Sequence, residues 1–201
     1  RTLNPLASEN DPDAWLRNTL SGDTVVVWSG TLADDLTASH PHTWLTPGWT
    51  AFDAWRARIE PAARARDVRL LIQPHTRHVV SDPVSALRYL RGVDRAVWGI
   101  AVSPATLFES TMFDRTEEHL ERIIEALGPE ADLWLLEDAA PGDEDQPAVP
   151  CPPGSGRFPP SVLLAPLDAQ LRSDAGLVAD LDAARAAGWL TAEGELGRGR
   201  G

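Results

Sequence analysis

Residues 70–76, LLIQPHT, decide the fold, because three apolar residues lead there directly into glutamine, proline and histidine. The run at residues 68–72, VRLLI, is typical of a strand buried on both faces of a parallel sheet. Side chains alternate along a strand, so Gln73 and His75 are expected to share one face, while Pro74 ends the hydrogen-bonded ladder between them. The stretch therefore predicts a buried strand that presents two polar side chains at its carboxyl end.

Similar apolar runs recur along the chain and alternate with segments of helical period. Strands are predicted at residues 24–28, 68–72, 97–102, 133–136 and 161–165. Helices are predicted at residues 11–20, 48–66, 83–90, 114–128 and 174–188. This alternation is typical of a parallel sheet covered by helices, and it predicts an α/β fold of the (β/α) TIM-barrel type.

The length of the chain makes the predicted barrel incomplete. A full eight-stranded barrel needs roughly 250 residues, whereas about five β/α units are visible in 201 residues. We expect a single partial barrel domain over residues 1–201, with a Pro-rich loop or insertion at residues 139–160. Because the sequence begins at Arg1 without a Met, we also expect it to be a fragment of a longer protein.

Composition excludes several classes of function. The formal net charge of −12 would repel nucleic-acid phosphates and anionic membranes, so neither is expected as a partner. All 18 basic residues are Arg, which excludes Schiff-base catalysis and a P-loop lysine. The one cysteine, Cys151, allows no internal disulfide and fits a reducing, cytoplasmic setting.

Candidate site residues follow the predicted strands, because loops at the carboxyl ends of parallel strands converge on one mouth. Glu137 and Asp138 end one strand, and as neighbours they point to opposite sides of it. Candidates for proton transfer are His75, Glu137 and Asp138. Candidates for substrate binding are Trp28, Gln73, Ser103 and Thr106.

Histidines in the predicted loops leave a metal site open. His40 or His42, His75, and Glu137 or Asp138 are of a type that suits zinc, manganese or iron. The spacings HPH and HTRH are not the helical pair of a zincin, so no metal ligand is assigned on this basis.

The order of strand ends resembles the xylose isomerase-like TIM-barrel family, which includes sugar phosphate isomerases and epimerases. VVVWSG resembles the third strand of that family, LLIQPHTRHVVSDPVSALRYL its fourth strand and helix, and VWGIAVSPATLF its fifth strand. LWLLEDAAP is similar to the sixth strand, and SVLLAPL with LVADLDAARAAGWL is similar to the seventh strand and the helix after it. LTAEGELG resembles the start of the eighth strand, and no counterpart of the first two strands is present.

The resemblance implies a divalent metal that this sequence is poorly equipped to bind. The family takes metal ligands from Glu on strand four, Asp and His on strand five, His on strand six and Glu on strand eight. The matching positions here are Gln73, Ser103, Thr106, Leu135 and Glu193. Hard cations need several anionic oxygens or imidazoles, so the resemblance implies the fold with a degenerate metal site.

Two functions therefore remain open. The first is an isomerase or epimerase that moves a proton next to a carbonyl of a small carbohydrate-like substrate, with His75 or Glu137 as base. The second is a non-catalytic barrel relative that binds a sugar-like ligand or a protein partner without metal. The residues alone leave open whether the chain is an enzyme.

Overall fold

The computed structural model describes residues 4–7, 16, 18–143 and 145–197. They belong to two compact units, Arg1–Ala101 and Val102–Gly201. Of the helix predicted at residues 11–20, residues 11–15 and 17 lie outside the described residues.

The first unit is built on three parallel strands in the order β1-β2-β3. They are β1 (Thr24–Trp28), β2 (Arg69–Gln73) and β3 (Trp98–Val102), whose last residue lies at the boundary of the unit. The register pairs Trp28 with Gln73. The pairing places both side chains at the carboxyl ends of neighbouring strands.

Two helices accompany these strands. They are α1 (Thr46–Ala65) and α2 (Pro83–Arg91). One face of α1 is apolar and buried, and it carries Trp49, Phe52, Trp55 and Ile59. The Trp55 ring lies 5.9 Å from that of Trp98 on β3, which anchors the helix to the sheet.

Helix α2 begins with a reciprocal side-chain cap. The Asp82 side chain accepts a hydrogen bond of 2.9 Å from the Ser85 backbone N–H, and the Ser85 hydroxyl oxygen accepts one of 3.0 Å from the Asp82 N–H. Pro83 occupies the first turn, where its missing N–H leaves no bond unmade. The reciprocal pair satisfies two amides that the helix itself cannot.

Replacing Asp82 by Ala is expected to lower the free energy of unfolding by about 1 kcal/mol, since the cap is exposed and only one helix end depends on it. Urea unfolding followed by circular dichroism measures the change. Asp82→Asn is the matched control, because an amide oxygen still accepts from Ser85. Equal losses for the Ala and Asn variants would contradict the capping role.

The second unit contains two parallel strands and one antiparallel pair. Strands β4 (Leu133–Leu136) and β7 (Gly176–Ala179) pair in parallel. Strands β5 (Asp138–Ala140) and β6 (Val149–Cys151) pair antiparallel. The helices are α3 (Thr116–Leu127), α4 (Pro160–Gln170) and α5 (Leu181–Ala186).

The strand predicted at residues 161–165 is wrong, because this run forms the first half of α4. Pro160 begins the helix with a preset backbone angle, and Leu163, Leu164 and Leu167 are buried at helical spacing. A short apolar run has no periodicity that separates a buried strand from a buried helix. The fifth parallel strand is instead β7. It occupies residues predicted to begin the helix at 174–188, so that prediction is wrong for its first part.

The Pro-rich stretch at residues 139–160 contains regular structure. It holds the end of β5, all of β6 and the first residue of α4. The hairpin pairs Asp138 with Cys151 and Ala140 with Val149. The stretch predicted as a loop or insertion therefore contains a β-hairpin, and a loop follows it.

The fold class is α/β and of the incomplete TIM-barrel-like type that the sequence predicts. Three parallel strands lie in the first unit and two in the second, each set with flanking helices. Among the described helices, none has both the length and the apolar composition that crossing a bilayer requires.

Candidate functional site

In the first unit, Trp28 fixes the orientation of the Gln73 side chain. The Trp28 indole Nε1–H donates a hydrogen bond of 3.3 Å to Gln73 Oε1. An indole N–H can only donate, so the atom of Gln73 that faces it must be the carbonyl oxygen. The amide NH₂ group of Gln73 therefore points to other acceptors.

His75 contacts the same indole. Its ring centroid lies 5.2 Å from that of Trp28, so Gln73 and His75 both meet one tryptophan, as expected for side chains that share a face. The Arg77 backbone N–H donates a hydrogen bond of 3.1 Å to His75 Nδ1. Since a donor needs a lone pair, Nδ1 carries no proton, and the proton of the neutral ring sits on Nε2.

His78 completes an aromatic cluster with Trp28 and His75. Its ring stacks on His75 at 4.6 Å and meets Trp28 edge-on at 4.7 Å. His78 is fully buried, and its Nε2 lies 3.0 Å from the Leu36 carbonyl, which requires the proton on Nε2. The other ring nitrogen, Nδ1, is buried without a hydrogen-bond partner in the described part of the chain.

Burial makes both imidazoles weak bases. It lowers the pKa of His75 to about 3, and the charges of His78 and Arg77 act in the same direction. It also lowers the pKa of His78 to about 4, against the opposing effect of the Leu36 carbonyl. Both rings are neutral at pH 7, so His75 is equipped to donate a hydrogen bond and poorly suited to the role of base predicted for it.

Backbone hydrogen bonds hold the loop that carries these histidines. The Val80 N–H donates a hydrogen bond of 2.8 Å to Ser29 Oγ, and the Val79 N–H donates one of 3.0 Å to the Gly30 carbonyl. The Trp44 Nε1–H donates a hydrogen bond of 3.1 Å to the Thr76 carbonyl. The loop after β2 is thus tied to the end of β1 and to the segment that precedes α1.

In the second unit, Ser103 orients Glu137. The Ser103 hydroxyl donates a hydrogen bond of 2.6 Å to Glu137 Oε2, a short bond of the kind made to an ionised carboxylate. Ser103 is fully buried, whereas Glu137 is half-buried. Glu137 Oε1 has no hydrogen-bond partner in residues 102–143 or 145–197. One carboxylate oxygen is therefore fixed and the other is available to take up a proton.

Thr106 supports Ser103 from the next turn. It lies in the 3-10 turn Pro104–Leu107, and its hydroxyl donates 3.0 Å to the Ser103 carbonyl. With 5% of its surface exposed, Thr106 has little area to offer a ligand. The substrate-binding role predicted for it stays a prediction, whereas its part in shaping the Ser103 turn is visible.

Asp138 is buried inside a ring of backbone amides. Its Oδ1 accepts from Ala139 at 2.8 Å and Phe158 at 2.9 Å, and its Oδ2 accepts from Gly154 at 3.1 Å and Gly156 at 2.8 Å. A carboxylate has about four acceptor positions, so these four donors satisfy it. Asp138 therefore stabilises the loop that surrounds it. Both of its oxygens are already bonded, so they are poorly placed for the catalytic role predicted from sequence.

The two glycines explain the PPGSG segment, residues 152–156. Gly154 adopts a positive φ of 80°, which L-residues rarely adopt. A Cβ on Gly156 would clash with the Ala139 carbonyl and the Asp138 carboxylate. Alternate amides of this loop, those of Gly154, Gly156 and Phe158, form an anion-binding nest, and its anion here is a side chain of the same chain. An acidic strand end followed by Gly-x-Gly was the signal in the sequence for this contact.

The donor set does not fit the divalent metal that the family resemblance implies. Gln73 Oε1 accepts from Trp28, the Ser103 hydroxyl donates to Glu137, and the Thr106 hydroxyl donates to a carbonyl. Leu135 supplies no ligand atom. These side chains act as donors or are already bonded, whereas a hard cation needs several free oxygen ligands.

Other potential metal ligands do not complete a site in the described residues. His40 and His42 lie with ring centroids 5.5 Å apart. Across residues 4–7, 16, 18–143 and 145–197, no three or more His, Cys, Asp or Glu side chains are grouped so that they could hold a metal ion. Burial and the charges of Asp138 and Glu137 raise the pKa of the Cys151 thiol, which disfavours the thiolate that binds metal.

Comparison with known proteins gives likeness in structure alone. No protein-family model matches the sequence, and no curated protein is significantly similar to it. A xylose isomerase-like TIM barrel protein from Mycobacterium smegmatis, solved in complex with magnesium, superposes with a TM-score of 0.50 at 12% identity. The match covers 77% of this chain and 53% of that one.

Two further solved structures are similar at lower scores. A protein from Sinorhizobium meliloti 1021 has a TM-score of 0.47 at 17% identity, over 77% of this chain and 54% of that one. The IOLI protein with a bound zinc atom has a TM-score of 0.47 at 16% identity, over 82% of this chain and 60% of that one. This chain spans about half the length of the first two. The likeness to the Mycobacterium smegmatis protein supports the incomplete TIM-barrel-like fold that the strand ends predict.

Proposed function

We propose that the protein is an isomerase or epimerase of a small carbohydrate-like substrate and that Glu137 is the base that moves a proton next to a carbonyl. The observation that carries this proposal is the Ser103–Glu137 pair. A half-buried carboxylate is held through Oε2 by a buried hydroxyl, while Oε1 is left open. A base held in one orientation at a site of this kind is what general base catalysis needs.

The step balances without a metal. Glu137 Oε1 takes the proton from the carbon next to the carbonyl, and the electrons of that C–H bond form an enediolate with its charge on the carbonyl oxygen. The hydroxyl proton on the carbon that lost its hydrogen moves to this negatively charged oxygen. Glu137 then returns its proton to the former carbonyl carbon, which gives the isomer with the neighbouring oxygen as the new carbonyl and with Glu137 ionised again. Ser103 keeps its bond to Oε2 throughout and so acts as a positioning residue.

Glu137→Gln is expected to reduce proton exchange by at least about 100-fold, because an amide cannot accept the proton. Exchange is measured by NMR in D₂O as loss of the signal next to the carbonyl, with D-xylulose, D-fructose and their phosphates as substrates. Glu121→Gln, at an exposed site on α3, is the matched control and should behave as the wild type. Exchange that persists in Glu137→Gln would remove Glu137 as the base.

A second function, sugar binding without turnover, is favoured by a different observation. Trp28 and Gln73 are only half-buried at the ends of β1 and β2, and an aromatic ring beside an amide suits a sugar's apolar face and hydroxyls. The loss of the usual metal ligands points the same way. Calorimetric binding of D-xylulose by a wild type that shows no exchange above buffer would establish this function in place of catalysis.

The proposal also implies a setting. A small carbohydrate-like ligand, carbohydrate metabolism and a cytoplasmic location fit a chain with one cysteine, a net charge of −12 and no affinity expected for nucleic acid or membrane.

A further inference from the structure

We infer that Gln73 and His75 together bind one carbonyl oxygen of the substrate through two uncharged N–H donors, at the strand end where related proteins place a metal ligand. The inference rests on the proposed function for the class of substrate. It adds that this end of β2 is a donor-only site that would reject a cation.

The first donor follows from the Trp28 contact. Because the indole Nε1–H can only donate, its 3.3 Å bond fixes Gln73 Oε1 as the acceptor. The other end of the side chain, Nε2, then carries two N–H groups and no lone pair for a metal. No partner for this NH₂ group is found in the described residues. The glutamine therefore offers hydrogen atoms alone to a ligand.

The second donor follows from the Arg77 contact. The backbone N–H of Arg77 occupies His75 Nδ1 at 3.1 Å, which forces the proton onto Nε2. A ring in this tautomer has no free lone pair with which to coordinate a metal. The His75 ring stacks on His78 and contacts Trp28 at an interplanar angle of 46°, so both neighbours restrict its orientation. Burial keeps the ring uncharged at neutral pH through its lowered pKa.

A carbonyl oxygen is the ligand atom that suits this pair. It has two lone pairs and no hydrogen, so it can accept from both donors at once. A sugar hydroxyl would bring a hydrogen of its own, for which neither Gln73 Nε2 nor His75 Nε2 offers an acceptor.

Gln73→Glu isolates the donor function. The glutamate still accepts the Trp28 N–H, so the local packing is kept, but its carboxylate has no N–H and repels a carbonyl oxygen. Gln73→Met serves as a second variant, since it removes the donors without adding charge. Near-ultraviolet circular dichroism of the tryptophans checks that both variants stay folded.

The experiment follows the Gln73 amide and the His75 imidazole by ¹⁵N NMR during titration with D-xylulose. Xylitol, which has the hydroxyls without the carbonyl, is the comparison ligand. We expect His75 to show the Nε2–H tautomer, D-xylulose to shift both signals and xylitol to leave them unchanged. D-xylulose should bind at least about tenfold more weakly to both variants, since each loses the N–H donors of Gln73.

Several results would overturn the inference: an Nδ1–H tautomer for His75, equal responses to D-xylulose and xylitol, or unchanged D-xylulose affinity in both variants. These outcomes are separable from failure of the proposed function. If Glu137→Gln abolishes exchange while the Gln73 variants bind D-xylulose normally, Glu137 is supported as the base and the inferred donor pair is wrong. If no exchange occurs but D-xylulose, and not xylitol, shifts the two signals, the donor pair is supported and the proposed catalytic function is wrong.

Discussion

Asp138→Asn is expected to lower the free energy of unfolding by about 3–6 kcal/mol, because two charge-assisted hydrogen bonds worth about 1.5–3 kcal/mol each are lost. The wild-type carboxylate accepts from four backbone amides. An asparagine keeps one oxygen and turns its NH₂ group toward two of those N–H donors. Urea unfolding followed by tryptophan fluorescence measures the loss.

Two further variants sharpen this test. Asp168→Asn makes the same chemical change at an exposed site on α4 and is expected to alter stability by less than about 0.5 kcal/mol. Gly156→Ala should destabilise the protein as well, because its Cβ would clash with the Asp138 carboxylate and the Ala139 carbonyl. A stable Asp138→Asn variant that has lost proton exchange would reverse the assignment and make Asp138 catalytic.

Stability is expected to fall as the pH drops below about 6.5, the ordinary pKa of histidine. In the folded protein, burial lowers the pKa of His75 to about 3 and that of His78 to about 4. At pH values between these pKa values and 6.5, the two histidines are protonated in the unfolded chain and remain neutral in the folded chain. Acidification therefore favours unfolding, with a slope approaching about 1.4 kcal/mol per pH unit for each histidine.

Urea unfolding at pH 7.0, 6.0, 5.0 and 4.5 gives this slope. His78→Gln is the matched variant, because its amide N–H can still donate to the Leu36 carbonyl while the side chain does not titrate. The variant should lose about half of the acid sensitivity that the two histidines supply. The same slope in His78→Gln and wild type would show that the acid response arises elsewhere in the protein.

The sequence predicts α1, α2, α3 and the strands β1 to β4 because their signals are local. The α1 face depends on Trp49, Phe52, Trp55 and Ile59 at helical spacing, and the α2 start depends on Asp82 and Pro83. The run at residues 161–165 misleads because SVLLA is equally apolar as a strand or as a helix. Its context decides the outcome, since Pro159 and Pro160 precede it and its leucines pack in the interior.

The site residues could be named from sequence, but their roles depend on contacts between distant segments. That His75 is a donor follows from Arg77 bonding its Nδ1, and that Gln73 is a donor follows from Trp28, 45 positions away. Asp138 looks like a free acid at a strand end until the amides of residues 154–158 surround it. Glu137 gains its orientation from Ser103, 34 positions earlier.

The nest around Asp138 also bears on how the protein responds to dissolved metabolites. Since carboxylate and amides belong to one polypeptide, their encounter is intramolecular, and its effective concentration is of millimolar order or higher. A dissolved phosphate or organic acid would have to displace a buried carboxylate that already accepts four backbone N–H groups. The loop at residues 152–158 is consequently insulated from the anion content of its surroundings, and its shape is set by the chain itself.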